Sequence, residues 1–370
     1  MKLRTMLLVA LLSAIALDAA PPRVIKNVVV YKQPGRYAGW PANHGIWTWG
    51  NQILVGFETG YFKYHDTRHS IDWDRPADHV LARSLDGGET WTIEKPTSLM
   101  PPPGIEVAGV KTAPGGKAPV DCPGGIDFTA PGFAFTARMA SHHTGPSRFY
   151  VSHDQGHTWT GPYHLPDLGQ PGIAARTDYL VNGPRDLTLF LTAAKSNRRE
   201  GRILAARTRD GAKTWNFVSF IGPEPSLTDY AIMPSSVRVS PKTILTAIRH
   251  TKWIELWRSD DDGLTWRFVN RPAEDTGRGN PPSMVRLKDG RIAITWGYRA
   301  EPYGIRARLS SDNGATWSPE IFMRADAGAW DIGYTRTVQR PDSNLVTIYY
   351  YNDDPRTERY IGATIWNPGN

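Results

Sequence analysis

The sequence predicts an all-β fold: a six-bladed β-propeller closed by pairing strands from its two termini. Three observations lead there. The pattern S-x-D-x-G-x-T-W occurs five times, roughly fifty to seventy residues apart, at 84–91, 152–159, 208–215, 259–266 and 310–317. A recurring period of this kind marks a repeat architecture. Each copy lies between two short strand-like runs, such as His79–Arg83 and Ile254–Arg258 on the N-terminal side. Finally, 35 Gly and 30 Pro break the 370 residues into short segments, with no helical periodicity of useful length.

The pattern has a physical reading as a tight turn. Ser or Thr and Asp can hydrogen-bond the turn backbone, and Gly supplies a positive φ. The closing Trp buries its ring while its N–H finds an acceptor. The copy at 208–215 is degenerate, with Ala212 in the Gly position.

In chain order, Arg23–Lys32 reads as a strand whose expected partner is Tyr360–Trp366, both in the last blade. Blade 1 spans about Gly39–Glu94, with a long insert at Tyr61–His69. Blade 2 spans about Ser98–Leu165, with expected strands Ile126–Phe128 and Phe133–Ala140 after a Pro/Gly-rich loop. Blade 3 uses Ala174–Leu180 and Leu187–Ala194. Blade 4 uses Tyr230–Val239 and Thr243–His250, and blade 5 uses Pro282–Leu287 and Arg291–Tyr298. Blade 6, which has no copy of the pattern, uses Tyr334–Gln339, Leu345–Tyr351 and Tyr360–Trp366.

The pattern resembles the Asp box of the sialidase (neuraminidase, BNR-repeat) superfamily. That resemblance implies a sialidase-like propeller in which the boxes are scaffold turns on the outside, far from the active site. It also implies three arginines around a substrate carboxylate, a tyrosine nucleophile assisted by a glutamate, and an aspartate acid/base. Tyr334 stands where the tyrosine is expected, as the last blade begins, and Arg249 and Arg299 can supply two arginines. Asp66 or Asp72 is the candidate acid/base, and Glu58 and Glu255 are the glutamates available. The first arginine of the family opens blade 1 in an R-I-P motif. Here Gly39-Trp40-Pro41-Ala42 stands in that place, which counts against sialic acid itself.

Composition narrows the function classes. Residues 1–19 read as a signal peptide, with Lys2 and Arg4 before the apolar run Met6–Leu17, and cleavage is expected after Ala19. The alternative is a retained N-terminal anchor. The remaining 20–370 is expected to form one propeller domain, secreted or periplasmic, without a membrane span. One cysteine, Cys122, excludes an intrachain disulfide. The formal charge is +7, but Lys and Arg are scattered, so nucleic acid is not an expected partner. A mildly basic, aromatic-rich chain suits an acidic glycan. No cofactor or metal is indicated, and a structural calcium at a loop stays open; His142-His143 lacks a third ligand. Oligomeric state is not readable.

In a propeller, ligands meet the loops at one end of the central tunnel. Those loops carry His44, His65, Asp66 and Arg68, then Arg176, Asp229 and Tyr230. They also carry Arg249, His250, Arg299, Asp331, Tyr334 and Arg336. His44, His65, Asp66 and Tyr334 are the expected catalytic groups, and Arg68, Arg176, Asp229, Tyr230, Arg249, His250, Arg299 and Arg336 the expected substrate-binding groups. Trp40, Trp47 and Trp49 suit the core, and Trp73 a sugar platform. The leading expectation is an exo-acting glycoside hydrolase for a terminal acidic sugar. His44 and His65 also resemble the histidine pair of propeller-fold polysaccharide lyases that cleave next to uronic acids, which gives a second expectation. There, imidazoles take and give protons while an arginine neutralises the carboxylate. A third is a non-catalytic glycan-binding propeller.

Overall fold

The computed structural model describes residues 20–102, 106–107, 110–111 and 115–369. The expected signal peptide, 1–19, lies outside them. Six sheets form six blades. In blade 1, Arg36–Gly39 and Ile46–Trp49 share the inner position, followed by Gln52–Tyr61, Asp78–Ser84 and Thr92–Glu94. Blades 4 and 5 are plain four-stranded meanders, Ile232–Ala273 and Ser283–Arg324. Blade 3 runs from Ile173 to Ile221. Blade 6 orders Gly333–Gln339, Leu345–Tyr351, Tyr360–Asn367 and, outermost, Arg23–Tyr31. The last pairing is antiparallel, with Val28 opposite Ala363, so the N-terminal strand closes the ring as expected.

Period-2 side-chain alternation packs the blades together. Along Gln52–Tyr61, Ile53, Val55 and Phe57 face blade 6, whereas Leu54 joins Trp159 and Tyr150 of blade 2. Leu187, Leu189 and Leu191 meet the phenylalanines of blade 2, and Phe190 meets Ile244 and Ile248 of blade 4. Ile292, Ile294 and Trp296 face blade 4, and Ala293 faces blade 6. Among the described residues each blade interface thus has its own apolar cluster.

One expected strand is absent. Ile126–Phe128 is not a strand, and blade 2 has three strands, Ala134–Met139, Ser147–Ser152 and Thr160–Leu165. Gly124 and Gly125 hold φ of 83° and 73°, and Asp127 caps Thr129 N at 2.9 Å. The segment's amides are satisfied by blade 3 instead: Ile126 N donates to Gly211 O and Phe128 N to Pro184 O.

The boxes are the expected turns between third and fourth strands. In the first, Ser84 Oγ accepts from Gly88 N at 2.7 Å, Asp86 accepts Thr90 N and Oγ1 at 2.9 and 2.6 Å, and Trp91 Nε1 donates to Gly88 O at 3.0 Å. At Asp261 the Thr265 hydroxyl, outweighing partial burial, leads in holding the carboxyl at about 2. A depressed carboxylate stabilises the fold above its unfolded value of 3.8, and that contribution disappears as pH falls through about 2. Asp261→Asn is therefore expected to make the fall of Tm between those two pH values shallower. A Tm–pH curve with the wild-type acid slope would contradict this role for the box.

Candidate functional site

Second strands end, and inner strands begin, at the end of the propeller opposite the boxes. Tyr334 sits there, at the start of the inner strand of blade 6. Gly333 and Tyr334 hold φ of 100° and 54° at a register shift between Gly333 and Arg336. Asn280 pins this bulge, accepting Tyr334 N at 2.9 Å and donating to Ile332 O at 3.0 Å. A Cβ on residue 333 would fall 2.4 Å from Asn280 Nδ2, so glycine is required. A non-glycine residue in the left-handed region costs on the order of 1–3 kcal/mol and marks a constrained site. Met233, at the equivalent start of blade 4, repeats the feature with φ 53° and a register shift.

The Tyr334 hydroxyl accepts from Arg249 Nη1 at 3.0 Å, and Arg249 Nη2 donates to Tyr230 at 3.2 Å. Arg249 Nε is buried and makes no hydrogen bond among the described residues. Arg299 lies 5.3 Å from the Tyr334 ring centroid and is engaged by Ile332 O, Gly279 O and Tyr350 Oη. Burial pushes the Tyr334 phenol up, but the positive charges of Arg249, Arg299 and Arg176, with the Arg249 hydrogen bond, outweigh it. The phenol ends below its ordinary value.

Beside it lies a His–Asp pair. His69 Nδ1 is 2.6 Å from Asp331 Oδ1. Asp331 also accepts Ser70 N at 3.0 Å, Tyr350 Oη at 2.8 Å and Arg359 Nε at 3.1 Å. Burial pushes this carboxyl up, yet His69, Arg359 and the Ser70 amide hold it well below the usual range. An ionised carboxylate only accepts, so Nδ1 of His69 carries the proton. Burial lowers the His69 value further than Asp331 raises it, leaving a neutral ring with Nε2 as a base. Trp40, Trp330 and Tyr334 surround that ring, at centroid distances of 5.1, 5.6 and 6.4 Å. Arg278 covers Trp330 at 4.3 Å.

Of the expected site residues, Tyr230, Arg249, Arg299 and Tyr334 therefore come together. Arg336 lies deeper in the tunnel, donating to the Ala42 and Thr177 carbonyls. Arg176 is paired with Glu200 at 2.9 Å and Asn43 at 3.3 Å. His44 is enclosed between blades 1 and 2, 3.2 Å from Glu58 and stacked edge-on with His79. Burial, with the charge of Arg138, keeps its imidazole well below its usual value. His65, Asp66 and Arg68 lie on the insert. Asp66 accepts the Tyr64 hydroxyl, its carbonyl accepts Trp330 Nε1 at 3.2 Å, and Arg68 lies over Trp73. Among the described residues no hydrogen bond, ion pair or ring contact joins His44 to His65. Asp229 and His250 pair at 2.9 Å, facing away from Tyr334. His69, which closes the same insert, carries no sequence signal that sets it apart from the expected site residues, and Asp331 is one rim acid among many in the sequence. No group of three or more His, Cys, Asp or Glu able to hold a metal occurs among the described residues.

Residues 128–348, more than half the chain, match the BNR repeat-like domain. No curated protein sequence matches the chain. Among solved structures, a protein of unknown function from Dyadobacter fermentans is similar at 20% identity and TM-score 0.69, covering 94% of this chain and 99% of that one. An α-L-arabinofuranosidase of Fusarium graminearum with arabinobiose is similar at 14% identity and TM-score 0.60, covering 92% and 97%. A sialidase from Streptococcus pneumoniae is similar at 13% identity and TM-score 0.59, covering 94% and 70%. At these identities the likeness shows the fold, six blades around a tunnel. With its repeated boxes and the match over 128–348, the chain belongs to the BNR repeat-like domain family.

Proposed function

We propose that the protein is a glycoside hydrolase that cleaves a terminal acidic sugar at the tunnel mouth. The observation that carries this reading is Tyr334: a phenol of lowered pKa bonded to Arg249, beside a His69–Asp331 pair. The distant fold neighbours named above, a sialidase and an arabinofuranosidase, are glycoside hydrolases and support it as analogy only. The sugar's carboxylate is drawn to the guanidinium charges of Arg249 and Arg299 beside Tyr334. A phenol oxygen suits attack beside that carboxylate, which would repel another carboxylate. As the Tyr334 oxygen bonds the anomeric carbon, its proton passes to His69 Nε2. His69 then gives that proton to the departing glycosidic oxygen. Water then attacks the anomeric carbon and the bond to the Tyr334 oxygen breaks, with His69 taking the water proton and passing it to that oxygen. With residues 1–19 read as a leader, the enzyme acts outside the cytoplasm.

One observation favours a second reading. Among the described residues no carboxylate is hydrogen-bonded to the Tyr334 hydroxyl, whose partner is Arg249. A tyrosine, a neutral histidine and an arginine also make a β-elimination set next to a uronic acid. His69 would take the C5 proton, Tyr334 would protonate the leaving oxygen, and Arg249 would neutralise the carboxylate. A product screen on sialosides and uronate-containing glycans separates the two. New reducing ends without near-ultraviolet absorbance are expected from hydrolysis. An absorbing unsaturated uronate would replace hydrolysis by elimination, and glycan binding without any product would make the protein a binding module.

A further inference from the structure

We propose that a pocket between blades 3 and 4 binds a neutral sugar ring, separately from the tunnel mouth. The cavity holds about 380 Å³ and lies between Ile221, which ends the fourth strand of blade 3, and the third and fourth strands of blade 4. That volume is in the range of small-ligand sites. It shares a wall with the tunnel mouth. In the adjacent pairs Asp229–Tyr230 and Arg249–His250, Arg249 reaches Tyr334 and Tyr230 reaches Arg249. Asp229 and His250 turn the other way and line the pocket.

The pocket is built rather than left over. Glu255 accepts Trp253 Nε1 at 3.0 Å, Trp257 Nε1 at 3.2 Å and Arg271 Nη2 at 3.3 Å, so one carboxylate clamps both indoles. Trp253 is stacked on His250 at 5.1 Å and 10°, and Phe268 packs edge-on against Trp257. Rings held this way lose little freedom when a ligand arrives. The His250 side chain is only 8% exposed. Its Nδ1 is paired with Asp229 at 2.9 Å and its Nε2 lies 3.2 Å from Glu255 Oε2, so both ring nitrogens face carboxylates. Burial lowers its pKa, but Asp229 and Glu255 outweigh this and favour the imidazolium, which is held between the two carboxylates as part of the pocket wall.

The charges decide the ligand class. Asp229 and Glu255 are balanced by His250 and Arg271, so the pocket has no net pull on an anion or a cation. Its surfaces are aromatic faces beside the half-exposed guanidinium of Arg271. A sugar ring offers the match: C–H faces for the indoles and Phe268, and a hydroxyl to accept from Arg271.

Saturation-transfer NMR on the full chain tests this, with methyl β-D-glucopyranoside, methyl β-D-galactopyranoside and methyl α-L-arabinofuranoside as probes and methyl β-D-glucuronide as the charged comparison. At least one neutral glycoside should receive saturation through its ring C–H protons, and the glucuronide should bind there less well. Phe268→Ala and Trp253→Leu should each weaken the neutral glycoside about tenfold. Tyr334→Phe should leave that affinity unchanged, which separates this pocket from the tunnel mouth. Phe268 is 47% exposed, so its truncation is tolerated by the fold and decides the matter if Trp253→Leu misfolds. No saturation of any neutral glycoside, wild-type affinity in folded Phe268→Ala, or loss of binding in Tyr334→Phe would each overturn the proposal.

Discussion

Tyr334→Phe is expected to lower kcat for cleavage of acidic glycosides by about 10³-fold or more, with KM little changed. The substitution removes one oxygen, the atom proposed to attack the anomeric carbon. Ring packing against His69, Tyr350 and the two arginines is kept. Arg249 loses one acceptor but keeps Tyr230 at 3.2 Å. Stability should therefore fall by only about 1.5–3 kcal/mol, the range for a hydrogen bond to a charged group. A folded Tyr334→Phe protein with wild-type turnover would remove Tyr334 from the chemistry. Steady-state kinetics with a thermal melt on the same preparation distinguishes loss of chemistry from loss of fold.

Asp331→Asn should damage both activity and stability. Asp331 is 1% exposed and bonded to four groups from three segments: His69 at the end of the insert with the following Ser70, Tyr350 and Arg359. Removing its charge leaves Arg359, also buried, without its counter-ion. Breaking such a pair costs about 3–5 kcal/mol. The amide can also present N–H to His69, which then keeps its proton on Nε2, the wrong tautomer for a base. Turnover should fall about 10²- to 10⁴-fold. His69→Gln is the matched control: the His69 side chain is 23% exposed, so turnover should fall with a smaller change in Tm. Equal Tm losses in both variants, with activity tracking only the folded fraction, would reduce the pair to a structural clamp.

Most of the fold was legible because its signal is local and repeated. The boxes mark the turn between third and fourth strands, and alternation at Ile53, Leu54, Val55 and Phe57 sets which face meets which blade. Blade 2 escaped that logic. The short apolar run Ile126–Phe128 looks like a strand, but its amides are taken by Gly211 and Pro184 of blade 3. The site was half legible. Position within the repeat brought Tyr230, Arg249, Arg299 and Tyr334 to one end. Position could not tell a rim histidine from an enclosed one. His44 stands beside Gly56, where a Cβ would lie 2.7 Å from its own Cβ, and that missing side chain lets it sink between blades. His69 was hidden for the opposite reason, since its partner Asp331 is 262 residues away and no short pattern links them.

The central claim is that an acidic sugar places its carboxylate at Arg249 and its anomeric carbon before Tyr334. A crystal structure of the Tyr334→Phe protein soaked with an intact sialoside or glucuronide tests it most directly. The account predicts the carboxylate within hydrogen-bonding distance of Arg249 and the glycosidic oxygen within reach of His69 Nε2. A sugar bound with its carboxylate turned away from Arg249, or an empty tunnel mouth at saturating ligand, would contradict it.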